Sequence, residues 1–327
     1  MQNKTQIKYG TPSARITWTP QGAIGTPYEG KNVAEMMAMI ARSSNPKELQ
    51  AKAEKPEVLF KSAIHGEIPT PNAGEYGQNT MGGHWSILET LAFGVEITLS
   101  KTAAAQLGRH DAADNMNEKS NRYGRHSSAF FGFTHIAPVA YLAGSKAREP
   151  SDKLAPFDAE TVDVDVLSWE KYEAQIARGV SLQDARASLT QNAATQININ
   201  TTFRDAFSFL SQRLFHAAQH EIRFIAHQLL EEMRKHFADV MQYFDFSDAY
   251  NVQFFDAMVL KKHASGILKK GDFDSAGGKL VFSGLEVLKG NLNLNRMATV
   301  DDFERLQHDY KLITEQANAY LETQNLT

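Results

Sequence analysis

Between residues 202 and 237 apolar side chains recur every three or four positions: Phe203, Phe207, Leu210, Leu214, Ala217, Ala218, Ile222, Ile225 and Leu229. A helix turns by about 100° per residue, so this spacing gathers them into one stripe that other parts of the chain must cover. The pattern predicts a single long central helix. With 327 residues, the chain has enough length to enclose it in a full core.

The covering elements are legible in part. Residues 32–42, "NVAEMMAMIAR", repeat at helical spacing after Gly30 and stop at the polar, proline-containing "SSNPKE". Residues 91–99, "LAFGVEITL", carry the β-branched and aromatic content of a strand, and "SKTAAAQLGRH" then reads as a helix capped by Ser100. Glycine, proline and asparagine crowd residues 69–83, a loop that delivers His84. Residues 129–142 read as buried and irregular, and 144–158 as an exposed connection. Residues 169–189 are helical in period, and 300–325 form a closing amphipathic helix.

Chemistry concentrates in residues 109–126, "RHDAADNMNEKSNRYGRH". Lys plus Arg is 34 and Asp plus Glu is 38, a net charge of 34 − 38 = −4, so an anionic ligand must be met by a local cluster of this kind. The same balance argues against nucleic acid or an anionic membrane as partner. No charged-then-apolar leader stands at the amino terminus, and a cytoplasmic protein is expected. The cysteine count of zero excludes a disulfide frame, a thiolate metal site and a cysteine nucleophile.

Arginine presents a planar fork suited to phosphate, so Arg109, Arg122 and Arg125 point to a phosphorylated ligand, with Asn117, Glu118 and Ser120 to read a base or sugar edge. A solvated, charge-rich helix face would have the same composition. Two other patterns are weaker. "GDFDSAGGKL" lacks the spacing and the hydroxyl residue of a phosphate loop. His216 and His220 stand four apart as a helical metal pair would, but Gln219 occupies the place where an inverted zinc-protease pattern has glutamate, and no metal is expected.

"RHD", followed after eight residues by Ser120 within "NEKSNRY", resembles the signature of the flavin-dependent thymidylate synthases (ThyX). "GHWSILETLAFGVEITLSKTAAAQLGRH" upstream and "ARASLTQNAATQININTTFRDAFSFLSQRLFHAAQHEIR" downstream resemble two further family blocks, in the family's order. The resemblance implies an α+β fold with a mixed or antiparallel sheet and long helices. Residues 1–30 would then be an N-terminal extension, 31–250 the flavin- and nucleotide-binding catalytic domain, and 251–327 a mixed or helical C-terminal appendage.

Carried over residue by residue, the resemblance implies that Gln106, Glu118, Ser120, Arg122, Arg186 and Arg213 hold a pyrimidine nucleoside monophosphate. Ser120, Arg122 and Arg213 would be the catalytic set. It places His84, Ser86, Glu89, Arg109, His110, Arg204 and Ser208 on the flavin side, with residues 42–44 beside them. It further implies FAD as cofactor, NADPH and methylenetetrahydrofolate as co-substrates, and a homotetramer with sites between subunits. Arg204 and Arg213 are nine residues apart, about 180° around a helix, so one chain could hardly aim both at one pocket.

The sequence departs from the family at Asp111, where a second arginine is usual, at Ser208 for asparagine, at Thr190 for proline, and at Ala217 and His220 for histidine and tryptophan. The function implied is C5 methylation of dUMP to dTMP. Asp111 motivates an alternative acceptor, UMP or a cytidine nucleotide, as in a modified-nucleotide or nucleoside-antibiotic pathway. Two further alternatives are a catalytically inactive flavin- or nucleotide-binding homologue and, of another class, a metal hydrolase using His216 and His220.

Overall fold

A computed structural model describes residues 7–42, 85–110, 116–119, 125–127, 132–143, 150–214, 218–242 and 300–325. Its centre is a four-stranded antiparallel sheet in the order β2 (Ser13–Trp18), β3 (Ala92–Ser100), β8 (Ala194–Thr202), β4 (Met116–Glu118). β3 and β8 pair along their whole length, from Ala92 opposite Thr202 to Ser100 opposite Ala194. Two small sheets flank it: β1 (Tyr9–Gly10) runs parallel to β5 (His135–Ile136), and β6 (Tyr141–Ala143) pairs with β7 (Pro150–Leu154). The α+β expectation, with mixed and antiparallel pairing, is met.

The helices follow from their caps. α1 (Val33–Arg42) starts at a reciprocal box in which the Asn32 side chain accepts from the Glu35 amide, and the Glu35 carboxylate accepts from the Asn32 amide. α2 (Lys101–Leu107) is capped by Ser100, as its sequence predicts. α3 (Ala159–Ala177) begins at Asp158, earlier than residue 169, and ends before the short α4 (Leu182–Ala185) and a 3-10 turn Arg186–Ser188; residues 169–189 are therefore not one helix.

The predicted long helix is two. α5 (Phe203–Arg213) stops at Leu214, and α6 (His220–His236) starts afresh with Gln219, whose Oε1 accepts from the amides of Glu221 and Ile222. Leu214 and Ala218 on either side of the break are buried in the same core, so the apolar period runs on across an interruption it cannot reveal. A short α7 (Ala238–Met241) follows, and α8 (Val300–Asn325) matches the predicted closing helix. The rings of Phe93, Phe203 and Phe237 lie 4.9–5.0 Å apart and lock β3, α5 and the end of α6 together.

The described parts of both terminal regions, 7–30 and 300–325, pack on this body. β2 is the sheet's edge, and the side chains of Gln228 and Glu232 on α6 accept from the amides of Ala14 and Ile16, satisfying groups an edge strand would leave open. Leu306, Tyr310 and Ile313 of α8 pack with Phe224, Ile136 and Val139, and Ala317 and Leu321 pack with Tyr9 and Trp169. Asn318 clasps β1 directly, its Oδ1 accepting from the Tyr9 amide and its Nδ2 donating to the Tyr9 carbonyl. The 69–83 loop, His84, the glycine-rich 271–280 segment and His216 lie outside the described residues. No helix among the described residues is long and apolar enough to cross a membrane.

Candidate functional site

The site is built where β3 runs into α2. A cap is needed at that junction, and Ser100 Oγ accepts from the Ala103 amide at 3.1 Å. The cap is itself held: Glu221 on α6 accepts from the Ser100 amide at 2.6 Å and from Ser100 Oγ at 2.7 Å. Glu221 is buried, which pushes its carboxyl pKa up, while the two bonds from Ser100 pull it the other way. This grip fixes α2, whose last turn carries Gln106 and whose carboxyl end tightens into a turn bearing Arg109 and His110.

His110 is buried and meets the carboxyl end of α5. Its ring stands edge-on to Phe209 at 5.3 Å, and its Nε2 accepts from Arg213 Nε at 2.7 Å. An imidazole nitrogen that accepts carries no proton, so this contact selects the neutral ring protonated on Nδ1. Arg213 is half-buried; burial, then the charge of Arg109, pulls its pKa below the usual guanidinium value. Two like charges thus converge beside a neutral acceptor. An anion placed there would relieve the repulsion.

A second cluster sits across the sheet edge. Glu118 on β4 pairs with Lys101 and accepts from Thr195 Oγ1 at 2.8 Å. Lys119, next in sequence, has its ammonium pKa lowered to about 8 by burial. Arg204, at the other end of α5 from Arg213, pairs with Glu89 on the 3-10 turn Trp85–Glu89. The two arginines therefore engage different partners on opposite faces of one helix, as their spacing requires. Ser208 lies between them and its Oγ accepts from Gln212 Nε2 at 3.3 Å.

The remaining sequence expectations divide plainly. Arg186 is exposed on its 3-10 turn, with Nε donating to the Gln183 carbonyl at 3.1 Å. Arg125, considered for phosphate, instead pairs with Glu173 on α3. Asp111, Ser120 and Arg122 lie outside the described residues, as does the side chain of Ser86. Thr190, in the family's proline position, donates to buried Asp165, which also accepts from Tyr9 and Asn192. His220, in the family's tryptophan position, is half-buried against the rings of Tyr141 and Tyr310 at 5.2 and 6.0 Å, and that desolvation lowers its pKa to about 4. A ring so enclosed is a packing residue.

Sequence reasoning missed Glu221, Lys101 and Thr195 as members of the site. Glu221 lies inside a quoted block without a role, and its partner is 121 positions away. Thr195 belongs to β8, whose alternation of Ile197 and Ile199 with Gln196, Asn198 and Asn200 is a period-two strand signal.

The family described as Thymidylate synthase complementing protein matches residues 27–237. The chain belongs to this family. Among its relatives, the flavin-dependent thymidylate synthase of Pyrococcus furiosus is 35% identical over 155 residues, covering 47% of this chain and 59% of that one. The probable flavin-dependent thymidylate synthase of Paramecium bursaria Chlorella virus 1 is 28% identical over 224 residues, covering 66% and 93%. The match thus spans less than two thirds of the archaeal relative's length. Among solved structures, the UMP/dUMP methylase PolB from Streptomyces cacaoi, bound with 5-Br dUMP, superposes with a TM-score of 0.50 at 14% identity over 70% of this chain and 93% of that one. It shares the fold.

Of the residues expected on the flavin side, Arg109, Arg204 and Ser208 have donor groups that suit a cofactor with phosphates. Arg109 is exposed, Arg204 is half-exposed, and the Ser208 hydroxyl lies on the same helix as Arg204. Guanidinium and hydroxyl donors of this kind are the groups a diphosphate requires.

Proposed function

We propose that this protein is a flavin-dependent pyrimidine nucleotide methyltransferase that converts dUMP to dTMP, taking its carbon from methylenetetrahydrofolate. The observation that carries the reading is the Arg213–His110 contact with Arg109 beside it. It joins one residue of the nucleotide set to two of the flavin set, where methyl transfer needs acceptor ring and hydride source together.

Methylation at C5 of a uracil ring needs a route that makes C5 nucleophilic, and with no cysteine the chain cannot use thiolate addition at C6. FAD held by Arg109, Arg204 and Ser208 would supply, once reduced by NADPH, the hydride that completes the methyl group. Arg213 binds the nucleotide phosphate, with Arg186 as a second phosphate ligand from a separate element. His110, held neutral, fixes the guanidinium's direction. Gln106 and Glu118 meet the base and sugar, with Lys101 and Thr195 holding the Glu118 carboxylate in place. Ser120 and Arg122 orient and polarise the ring, and Arg204, Ser208 and Glu89 belong to the cofactor side. The homotetramer with sites between subunits and the cytoplasmic location are what the family resemblance and the sequence imply, and Arg204 and Arg213 leaving opposite faces of α5 fits sites shared between subunits.

The test is a competition. Purified protein is incubated with FAD, NADPH and methylenetetrahydrofolate and offered dUMP, UMP and dCMP together, and the product is identified by mass. A methyl gained by dUMP is the expected result. Methylation of UMP or dCMP would make Asp111 and its neighbours the acceptor determinants. No methylated product from any of the three would overturn the reading.

A further inference from the structure

Arg223 is 2% exposed and lies within the family-matched span, yet its counter-ion comes from outside that span. Asp302, 79 positions away at the start of α8, meets Arg223 through Nε at 3.0 Å and Nη2 at 3.3 Å, and meets His227 Nε2 at 3.2 Å. Arg305, one turn along α8, joins the same carboxylate. The other side of the guanidinium is used too, since Nη1 donates to the Ala218 carbonyl at 3.1 Å. Ala218 precedes the Gln219 cap of α6, on the stretch that follows Arg213. Two residues back from Arg223 on the same helix, Glu221 holds Ser100 and through it the helix that ends in Arg109 and His110.

We infer that Asp302 is a positioning residue for the Arg213–His110 pair, so that the C-terminal helix is part of the site's supporting frame. It acts through Arg223 on both halves of the pair. One path runs from Arg223 to the Ala218 carbonyl and, through the core that Ala218 and Leu214 share, to the end of α5 carrying Arg213. The other runs from the amino-terminal turn of α6, through Glu221 and Ser100, to α2. A buried guanidinium that loses its carboxylate must rearrange, and it holds the turn from Ala218 to Arg223 from which both paths leave. The inference rests on the proposed role of Arg213 and His110 in nucleotide binding.

Two variants of the full chain test it. Asp302→Asn removes the charge. The double variant Arg223→Met with Asp302→Leu replaces the ion pair with apolar volume, a change that buried pairs commonly tolerate in stability. It also removes the bond to Ala218. The expected result is dUMP binding weakened on the order of 10- to 100-fold in both, with the double variant melting like the wild type. Hydrogen exchange at residues 101–110 and 203–213 rises in both. Wild-type dUMP affinity in the well-folded double variant would overturn the inference. A wild-type protein that binds no pyrimidine nucleotide would instead count against the proposed function; exchange, which needs no ligand, then decides the relay, and unchanged exchange in the double variant rejects it.

Discussion

Arg213 and Arg223 stand ten positions apart on consecutive helices, and the structure treats them in opposite ways. Arg223 is sealed from water and its charge is matched within the chain by Asp302. Arg213 is half-buried, bonds to a neutral imidazole, has Arg109's charge nearby, and pairs with no carboxylate among the described residues. A compensated arginine is scaffold, because its partner is covalently present whenever the chain folds. An arginine in a half-open setting, with no carboxylate partner among the described residues, is suited to receive an anion that arrives from solution.

The largest effect should come from damaging the compensated pair. Asp302→Ala leaves a buried cation unmatched and should cost about 3–5 kcal/mol, read as a lowered denaturant midpoint. A loss below about 1 kcal/mol would erase the distinction drawn between the two arginines. Arg213→Ala should do the reverse, lowering dUMP affinity on the order of 100-fold while melting within a few degrees of the wild type. Relief of the repulsion from Arg109 could even raise its melting temperature. Strong destabilisation with unchanged affinity would move Arg213 to the scaffold.

Acid sharpens the comparison from the scaffold side. His126 and His135 are buried and His220 is half-buried, and desolvation is the first cause lowering their pKa values from 6.5, to about 3 for His135 and about 4 for His220. Their folded forms resist protons that the unfolded chain accepts, so stability is intact above about pH 6.5 and falls as pH drops below it. Each group contributes a slope of up to about 1.4 kcal/mol per pH unit. Asp302 adds in the same direction: its pKa, raised by burial but more than offset by the bond from His227 and the charges of Arg223, His227 and Arg305, is held below the usual carboxylate value. Its contribution is therefore lost at still lower pH. Urea melts at pH 7 and pH 5 measure the drop, and equal midpoints would contradict the buried, neutral assignment. The smallest effect is expected at the exposed Arg125–Glu173 pair, where Arg125→Ala should change stability by less than about 1 kcal/mol. It should leave nucleotide affinity unchanged.

Local signals were readable in the sequence and long-range ones were not. Ser100 as a cap, the strand before it and the 300–325 helix follow from neighbours in sequence, and the structure forms all three. The break between Arg213 and His220 was hidden because Leu214 and Ala218 keep the apolar period on both sides of it. The edge strand Ser13–Trp18 alternates polar Ser13, Arg15 and Thr17 with apolar Ala14, Ile16 and Trp18, a local signal, but the side chains that satisfy its amides stand more than two hundred positions away. The site residues in the three motif blocks were visible as a set. Their contacts were not, since the 2.7 Å bond from Arg213 to His110 joins two blocks 103 positions apart, and the fold alone determines it.

The central claim is best tested by turnover of dUMP with FAD, NADPH and methylenetetrahydrofolate, measured side by side for the wild type and Arg213→Ala. The wild type should form dTMP, and the folded variant on the order of 100-fold less. Equal rates from the two proteins would remove Arg213 from the site, and no dTMP from the wild type would contradict the assignment of dUMP as acceptor.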